Sequence, residues 1–215
     1  MKSAWMGALL LAGGASAWPL EISYADFYGP MQRAAKGDVG LARLGFYLTD
    51  QQNGRRCAVL GGSVETLDRH VPIPITADAE LRLPYDEGLS LDKEKVVLEL
   101  GDESQCSLSV QVMAELSPGL LQVATLEQAQ GDMQRLLEQM SGRLGRLFLP
   151  EMQGVRLEML AERGEGALQV QGRRQTLAWK AHQLTLDKGS LAAFSGGTLQ
   201  LDSPVLRLTP WLPAR

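Results

Sequence analysis

Apolar and polar positions change their period twice along this chain, and the three stretches so defined predict different structures. In the first, short alternating runs dominate. Leu44, Phe46 and Leu48 fall on one face of a strand, with Arg43, Gly45 and Tyr47 on the other. The turn Asp50-Gln51-Gln52-Asn53-Gly54 follows, with its strong Asn-Gly hairpin signal, and RRCAVLGG returns. HVPIPIT carries Pro72 and Pro74, which cannot donate to a ladder, and so predicts an edge strand. ELRL ends at Pro84, KVVLEL follows a polar loop, and Leu108, Val110, Val112 and Ala114 alternate behind Cys106. Six short strands at this spacing predict an antiparallel sheet or sandwich.

A helical stripe precedes these strands. Tyr24, Phe27, Tyr28 and Met31 share one face, and Ser23 with Asp26 reads as a capping-box start. Gly29-Pro30 interrupts the stripe and predicts two short helical turns rather than one helix. Such a stripe more often packs on a core than faces a partner, the alternative being an aromatic docking face.

The second period begins after SPGLL. Thr125 and Gln128 predict a capped helix start. Leu126, Ala129, Met133, Leu136, Leu137, Met140, Leu144, Leu147 and Phe148 then hold one face, with Glu127, Asp132, Arg135 and Glu138 opposite. Gly142 and Gly145 weaken the far end, and Pro150 stops it. The polar face lacks the basic excess of a membrane-surface helix. In the third stretch alternation returns. VRLEMLAE and ALQVQG flank ERGEG as a predicted hairpin, and QTLAWK, HQLTLD, LAAF, TLQLD and VLRLT follow as strands. The fold class is therefore α+β, mostly antiparallel β: a disulfide-stapled sandwich-like or sheet unit, one long amphipathic helix and C-terminal β-hairpins. The expected organisation is a leader over 1–17, a β unit over 18–116, a helical segment over 117–150 and a second β unit over 151–215. The two β units can equally form one domain.

The leader changes the compartment. Lys2, the apolar run AWMGALLLA and the small residues Ala15-Ser16-Ala17 predict a signal peptide cut before Trp18, hence a periplasmic protein with no membrane anchor. That run is too short for a bilayer span. With 21 Lys+Arg against 25 Asp+Glu, the net charge of −4 disfavours nucleic acid, whose binding needs a basic footprint. In an oxidising compartment Cys57 and Cys106, far apart and each at the mouth of a strand, read as one structural disulfide. A Cys-X-X-Cys redox pair is missing.

The two-cysteine framework accompanies YADFY at 24–28, Phe46-Tyr47-Leu48, the loop Leu83-Pro84-Tyr85-Asp86-Glu87 and Cys106-Ser107-Leu108. Over about residues 20–115, and loosely at Pro210-Trp211, the chain resembles a family of exported Gram-negative proteins catalogued only as a domain of unknown function. The resemblance implies a secreted β-rich domain and no activity.

The search for chemistry returns little. His70 and His182 stand alone without zinc-ligand spacing, and the acidic loop PYDEGLSLDKEK lacks the alternating oxygens of an EF-hand. Gly61-Gly62-Ser63-Val64-Glu65 has Glu65 where a serine elbow needs glycine, so the glycines read as a bulge or bend. Neither a metal nor a cofactor is implied. The sequence favours a non-enzymatic binding or envelope-assembly module whose partner is another envelope protein. Its binding patch would draw on Tyr24, Phe27, Tyr28, Asp86 and Glu87. The alternatives are a hydrolase of cell-wall glycan or peptide, using Asp86 or Glu87, and a carrier of a lipid or small molecule.

Overall fold

The computed structural model describes residues 18–91, 94–102, 105–116, 121–145 and 147–213. The expected leader over 1–17 and most of the SPGLL boundary lie outside them. Among the described residues the strands form three antiparallel sheets. The first joins β1 (Trp18–Ser23), β5 (Lys95–Leu100), β3 (Val59–Glu65) and β4 (His70–Pro72) in that order. The Pro72 strand is an edge, as its missing N–H requires. A small second sheet runs β10 (Arg173–Trp179), β9 (Gly164–Val170), β12 (Thr198–Leu201) and β7 (Leu121–Gln122). The third, central sheet runs β11 (Gln183–Asp187), β8 (Gly154–Met159), β13 (Val205–Trp211), β6 (Cys106–Ala114) and β2 (Ala42–Asp50). Strands from both expected β units thus share the central sheet.

One face of that sheet serves two cores. Ala42, Val112, Ala114, Val155, Leu157 and Leu208 pack with Leu126, Ala129, Met133 and Leu136 of α3 (Val123–Gly145) and with Leu168 and Leu199 of the second sheet. Farther along β2, Phe46 and Leu48 pack with Val64, Val96 and Leu98 of the first sheet and with Tyr24 and Phe27 of α1 (Tyr24–Ala35). The opposite face turns on itself. β6 and β13 share a single ladder position, Ala114–Leu208, whereas Arg56 bridges to Thr49, which lies opposite Ser107. Seven residues of strand separate those levels, roughly 23 Å. Yet Arg56 reaches Glu158 at 3.1 Å, so the β2–β6 ribbon bends back over β8 and β13.

The bend closes on Tyr47. The Arg56 and Arg207 guanidiniums lie 4.7 and 4.9 Å from the ring centroid, and Glu158 accepts from both arginines. Arg207 also donates to Gln111 at 3.1 Å. Gly45 leaves the room: a Cβ there would sit 2.5 Å from Met113 Sδ and 2.9 Å from the Tyr47 ring. Burial, then the charges of Asp78 and Glu80, hold the Tyr47 hydroxyl pKa well above its ordinary value.

Several expectations need correction. Gly29-Pro30 does not split α1, which runs unbroken through Pro30. Gly29 has no Cβ to clash with the proline ring, which removes much of the usual penalty. α3 starts at Val123, two residues before Thr125, because Leu121–Gln122 pair with β12 and Val123 donates to the Gly197 carbonyl. Its far end breaks at Gly142, whose φ of 65° is left-handed, and Leu147 and Phe148 are exposed rather than on the buried face. Asp132, expected on the polar face, is buried at 1% exposure and accepts from the Leu41 amide at 2.8 Å. ERGEG is not a hairpin turn. Both edges of β8 are taken by β11 and β13, so the chain crosses there to the second sheet. The true hairpin is β9–β10, closed by Gln171-Gly172 with φ of 46° and 80°, a type I′ turn. LAAF lies not in a strand but mostly in α4 (Lys188–Ala193). Asp187 caps the Ser190 amide at 2.8 Å, and Leu191 and Phe194, three apart, face the core.

Cys57 and Cys106 are bonded, with Cα atoms 6.3 Å apart. Cys57 donates to Leu48 on one edge of β2 while Cys106 sits opposite Asp50 on the other, so the bridge clasps the strand's end. Closing a loop of 49 residues contributes about 4 kcal/mol in the chain-entropy model. Cys106→Ser is expected to lower the melting temperature by roughly 8–16 °C, which is what such a loss implies for a chain of this size. A thermal melt unchanged from the parent would contradict the clasp.

Candidate functional site

A groove opens where α1 crosses the free edge of β2. Its volume is about 320 Å³, and its walls come from Met31, Ala34 and Ala35 of α1, Ala42 and Leu44 of β2, and Leu83 and Tyr85. α1 is fixed there by its inward face. Ser23 caps it, Phe27 meets the Phe46 ring at 5.4 Å, and Tyr24 and Phe27 are wholly buried. The small side chains of Ala34 and Ala35 then leave space that larger residues would fill. Buried Asp132 holds the turn into β2 through Leu41, setting one end of the groove.

The far wall begins as part of a ladder. Ile75 and Leu81 pair in a tight hairpin, and Leu81 pairs with Phe46, its amide donating to the Phe46 carbonyl at 2.8 Å. Two residues on, the chain leaves β2. The Tyr24 hydroxyl donates to the Pro84 carbonyl at 2.5 Å and accepts from the Asp86 amide at 3.0 Å, drawing the segment toward α1. Burial raises the Tyr24 pKa, so the hydroxyl keeps its proton and stays a donor. Tyr85 stacks on Tyr28 with ring centroids 5.3 Å apart and remains 55% exposed at the mouth.

Charges on the rim neutralise one another. Glu80, nearly buried, pairs with Arg43 and with Arg82, and Glu115 pairs with the same two arginines. Hydrogen bonding from Arg82 holds the Glu115 carboxyl below its usual range despite some desolvation, and Arg43 adds to the effect. Burial opposes the charge of Arg43, but its bonds to Glu80 and the charges of Glu80 and Glu115 outweigh that, and its pKa is raised.

The residues expected to form a binding patch divide by exposure. Tyr24, Phe27 and Tyr28 face inward and shape the groove from behind, while Tyr85 presents the aromatic surface. Asp86 is brought to Tyr24 by its amide, and its carboxylate accepts from Gly88 at 2.8 Å at the start of α2 (Glu87–Leu91). Glu87 opens that short helix. Leu44, Leu83, Ala34 and Arg43 line the groove too, and nothing in the sequence marks them as binding residues. The available signal was Pro84, which must end any ladder formed by ELRL.

A second cluster sits on the first sheet. The Ser63 hydroxyl donates to Glu65 at 2.5 Å, and His70 meets the same carboxylate oxygen at 2.5 Å. The Ser63 bond, then His70, keeps the Glu65 pKa low against slight desolvation. A nucleophilic triad needs the imidazole between serine and carboxylate; here the carboxylate stands between. Gly61 marks a register shift in β3, the bend its sequence predicts. Among the described residues no three His, Cys, Asp or Glu side chains gather as a metal site.

A family model described as protein of unknown function (DUF2987) matches residues 16–159, well over half the chain and all of the groove. The chain belongs to the DUF2987 family. No curated protein and no solved structure matches it. The DUF2987 segment ends with β8, yet β8 is separated from β6 by β13, which lies outside the matched residues. A chain cut after Met159 would leave β6 and β8 without their shared neighbour and α3 without Leu168, Leu199 and Leu208. Such a truncation is expected to lose its cooperative calorimetric transition and bind a hydrophobic dye. A sharp transition in the truncated protein would show the segment to be self-sufficient.

Proposed function

We propose that this DUF2987 protein is an exported, periplasmic binding module, without catalytic activity, that engages another envelope component at the groove between α1 and β2. The observation that carries the reading is an open strand edge lying in an apolar groove beside an exposed tyrosine. Unpaired edges are ready templates for another chain, and proteins that keep one open commonly use it. The rim supports binding over hydrolysis. Glu80 has both carboxylate oxygens held by guanidiniums, and Asp86 spends one oxygen on the Gly88 amide. General acid–base work needs a carboxyl free to exchange its proton with substrate. The disulfide fits an oxidising compartment, and among the described residues no helix is long and apolar enough to cross a membrane.

A second reading draws on the walls alone. A volume of about 320 Å³ with mainly apolar lining falls at the small end of the usual range for small-molecule sites, which suits a carrier. A photoreactive phenylalanine placed at Leu83 separates the two in intact cells, with fully exposed Leu67 as the control position. The expected product is a discrete polypeptide adduct from position 83 and none from position 67. If position 83 yields no polypeptide adduct above the control, the interaction reading fails; an adduct of small mass would establish the carrier.

A further inference from the structure

The pairing pattern around the groove says more about the occupant. β2 directs alternate main-chain groups away from β6: Ala42 donates to Val39, Phe46 accepts from Leu81, and Leu48 accepts from Cys57. Leu44 belongs to that set. Its carbonyl accepts from the Arg43 guanidinium at 3.1 Å, and among the described residues no strand pairs with it on the side away from β6. The opposite wall alternates in the same way. Leu81 donates toward β2 and Arg82 donates away, to Pro74, so the next residue, Leu83, turns its main chain back toward β2. Phe46–Leu81 is therefore the last rung of a ladder whose next rung would be Leu44–Leu83. That rung is held apart by the Tyr24 hydroxyl pulling Pro84 and Asp86 to α1.

We infer that the groove is a split β-ladder that takes one extended peptide segment between the main-chain edges of Leu44 and Leu83, with Tyr24 as the positioning residue that keeps it open. This rests on the binding reading of the same groove. The Leu44 amide, the lone pair its carbonyl keeps beside Arg43, and the Leu83 main chain suit a backbone between the two walls. The walls of Ala34, Ala35, Ala42 and Leu44 receive an apolar side chain of that segment. Arg43 and Arg82 are already matched by Glu80 and Glu115, so the segment is uncharged where it passes the rim. In an extended strand adjacent residues turn their main-chain groups to opposite sides. One residue of the peptide pairs with Leu44 and its neighbour with Leu83.

An arrayed set of hexapeptides built from Ala, Val, Leu and Thr, read by fluorescence polarisation against the full chain, supplies the probe. The tightest binder is then remade with a single N-methyl group at each position in turn. Loss of about tenfold or more is expected at two adjacent positions at one end of the peptide, because the closed Phe46–Leu81 rung stops the segment beyond them, with the remaining positions tolerant. Uniform tolerance would overturn the split-ladder geometry while leaving the groove as the binding site. Failure of every hexapeptide to bind would overturn the peptide itself, and the adduct at position 83 then decides whether the groove reading survives. Tyr24→Phe keeps the buried ring and removes only the hydroxyl. It is expected to slow amide exchange at Leu44 in the free protein and to weaken the hexapeptide about tenfold. Leu83→Pro removes that residue's main-chain donor along with its wall side chain and provides the parallel test where Tyr24→Phe fails to fold. Unchanged affinity in both variants would sink the proposal.

Discussion

Glu158, held between Arg56 and Arg207 over the Tyr47 ring, is the contact on which the architecture turns. It joins a residue beyond β2 to residues on β8 and β13 and so fixes the bend of the central sheet. Two guanidiniums and a carboxylate are costly to take out of water, and an apolar replacement of the same shape often serves stability as well. What the polar version adds is direction. A guanidinium stacks on an aromatic ring and forks onto a carboxylate in a limited set of geometries, whereas an apolar contact at the same place would tolerate sliding between the ribbon and the strands beneath. Gly45, with no Cβ, lets the tyrosine lie flat enough to be covered.

That bend distributes the rest of the molecule. With one face of the central sheet turned inward on polar groups, the other must cover two separate apolar areas. α3 and the second sheet cover one, and α1 and the first sheet cover the other. β2 runs through both, which is why its sequence has no polar residue at positions 44, 46 or 48. It is also the strand whose free edge forms the groove, so the site sits where the two cores meet rather than on a peripheral loop. A site on a strand shared by two cores is more precisely held than one on a connection.

The alternation of Leu44, Phe46 and Leu48, and of the residues behind Cys106, gave β2, β5, β6, β12 and β13 nearly residue for residue. Period is a local property, and these strands each have one covered face. Partner choice is not local. β8 lies between β11 and β13, and nothing in VRLEMLAE distinguishes those neighbours from the nearer β9. The four residues of LAAF carry too little period to separate strand from helix, and the Asp187 cap decides it. For the groove, the aromatic stripe was visible but its direction was not: an inward Tyr24 whose hydroxyl reaches Pro84 takes sixty residues of intervening fold to bring about. Leu44 and Leu83 look like any two leucines until the ladder between Phe46 and Leu81 shows where pairing stops.

The disulfide acquires a second meaning from this arrangement. Cys57 and Cys106 clasp β2 at Leu48 and Asp50, and Asp132 holds its other end through Leu41. Between those two fixtures lies the open outer edge at Leu44. An open edge that can flex invites register slips and indiscriminate pairing, and a short edge pinned at both ends does not. Reduction of the bond would free one end of β2 and let Leu44 drift relative to Leu83. The bridge therefore also bears on the spacing of the groove, and the staple and the candidate site share one strand.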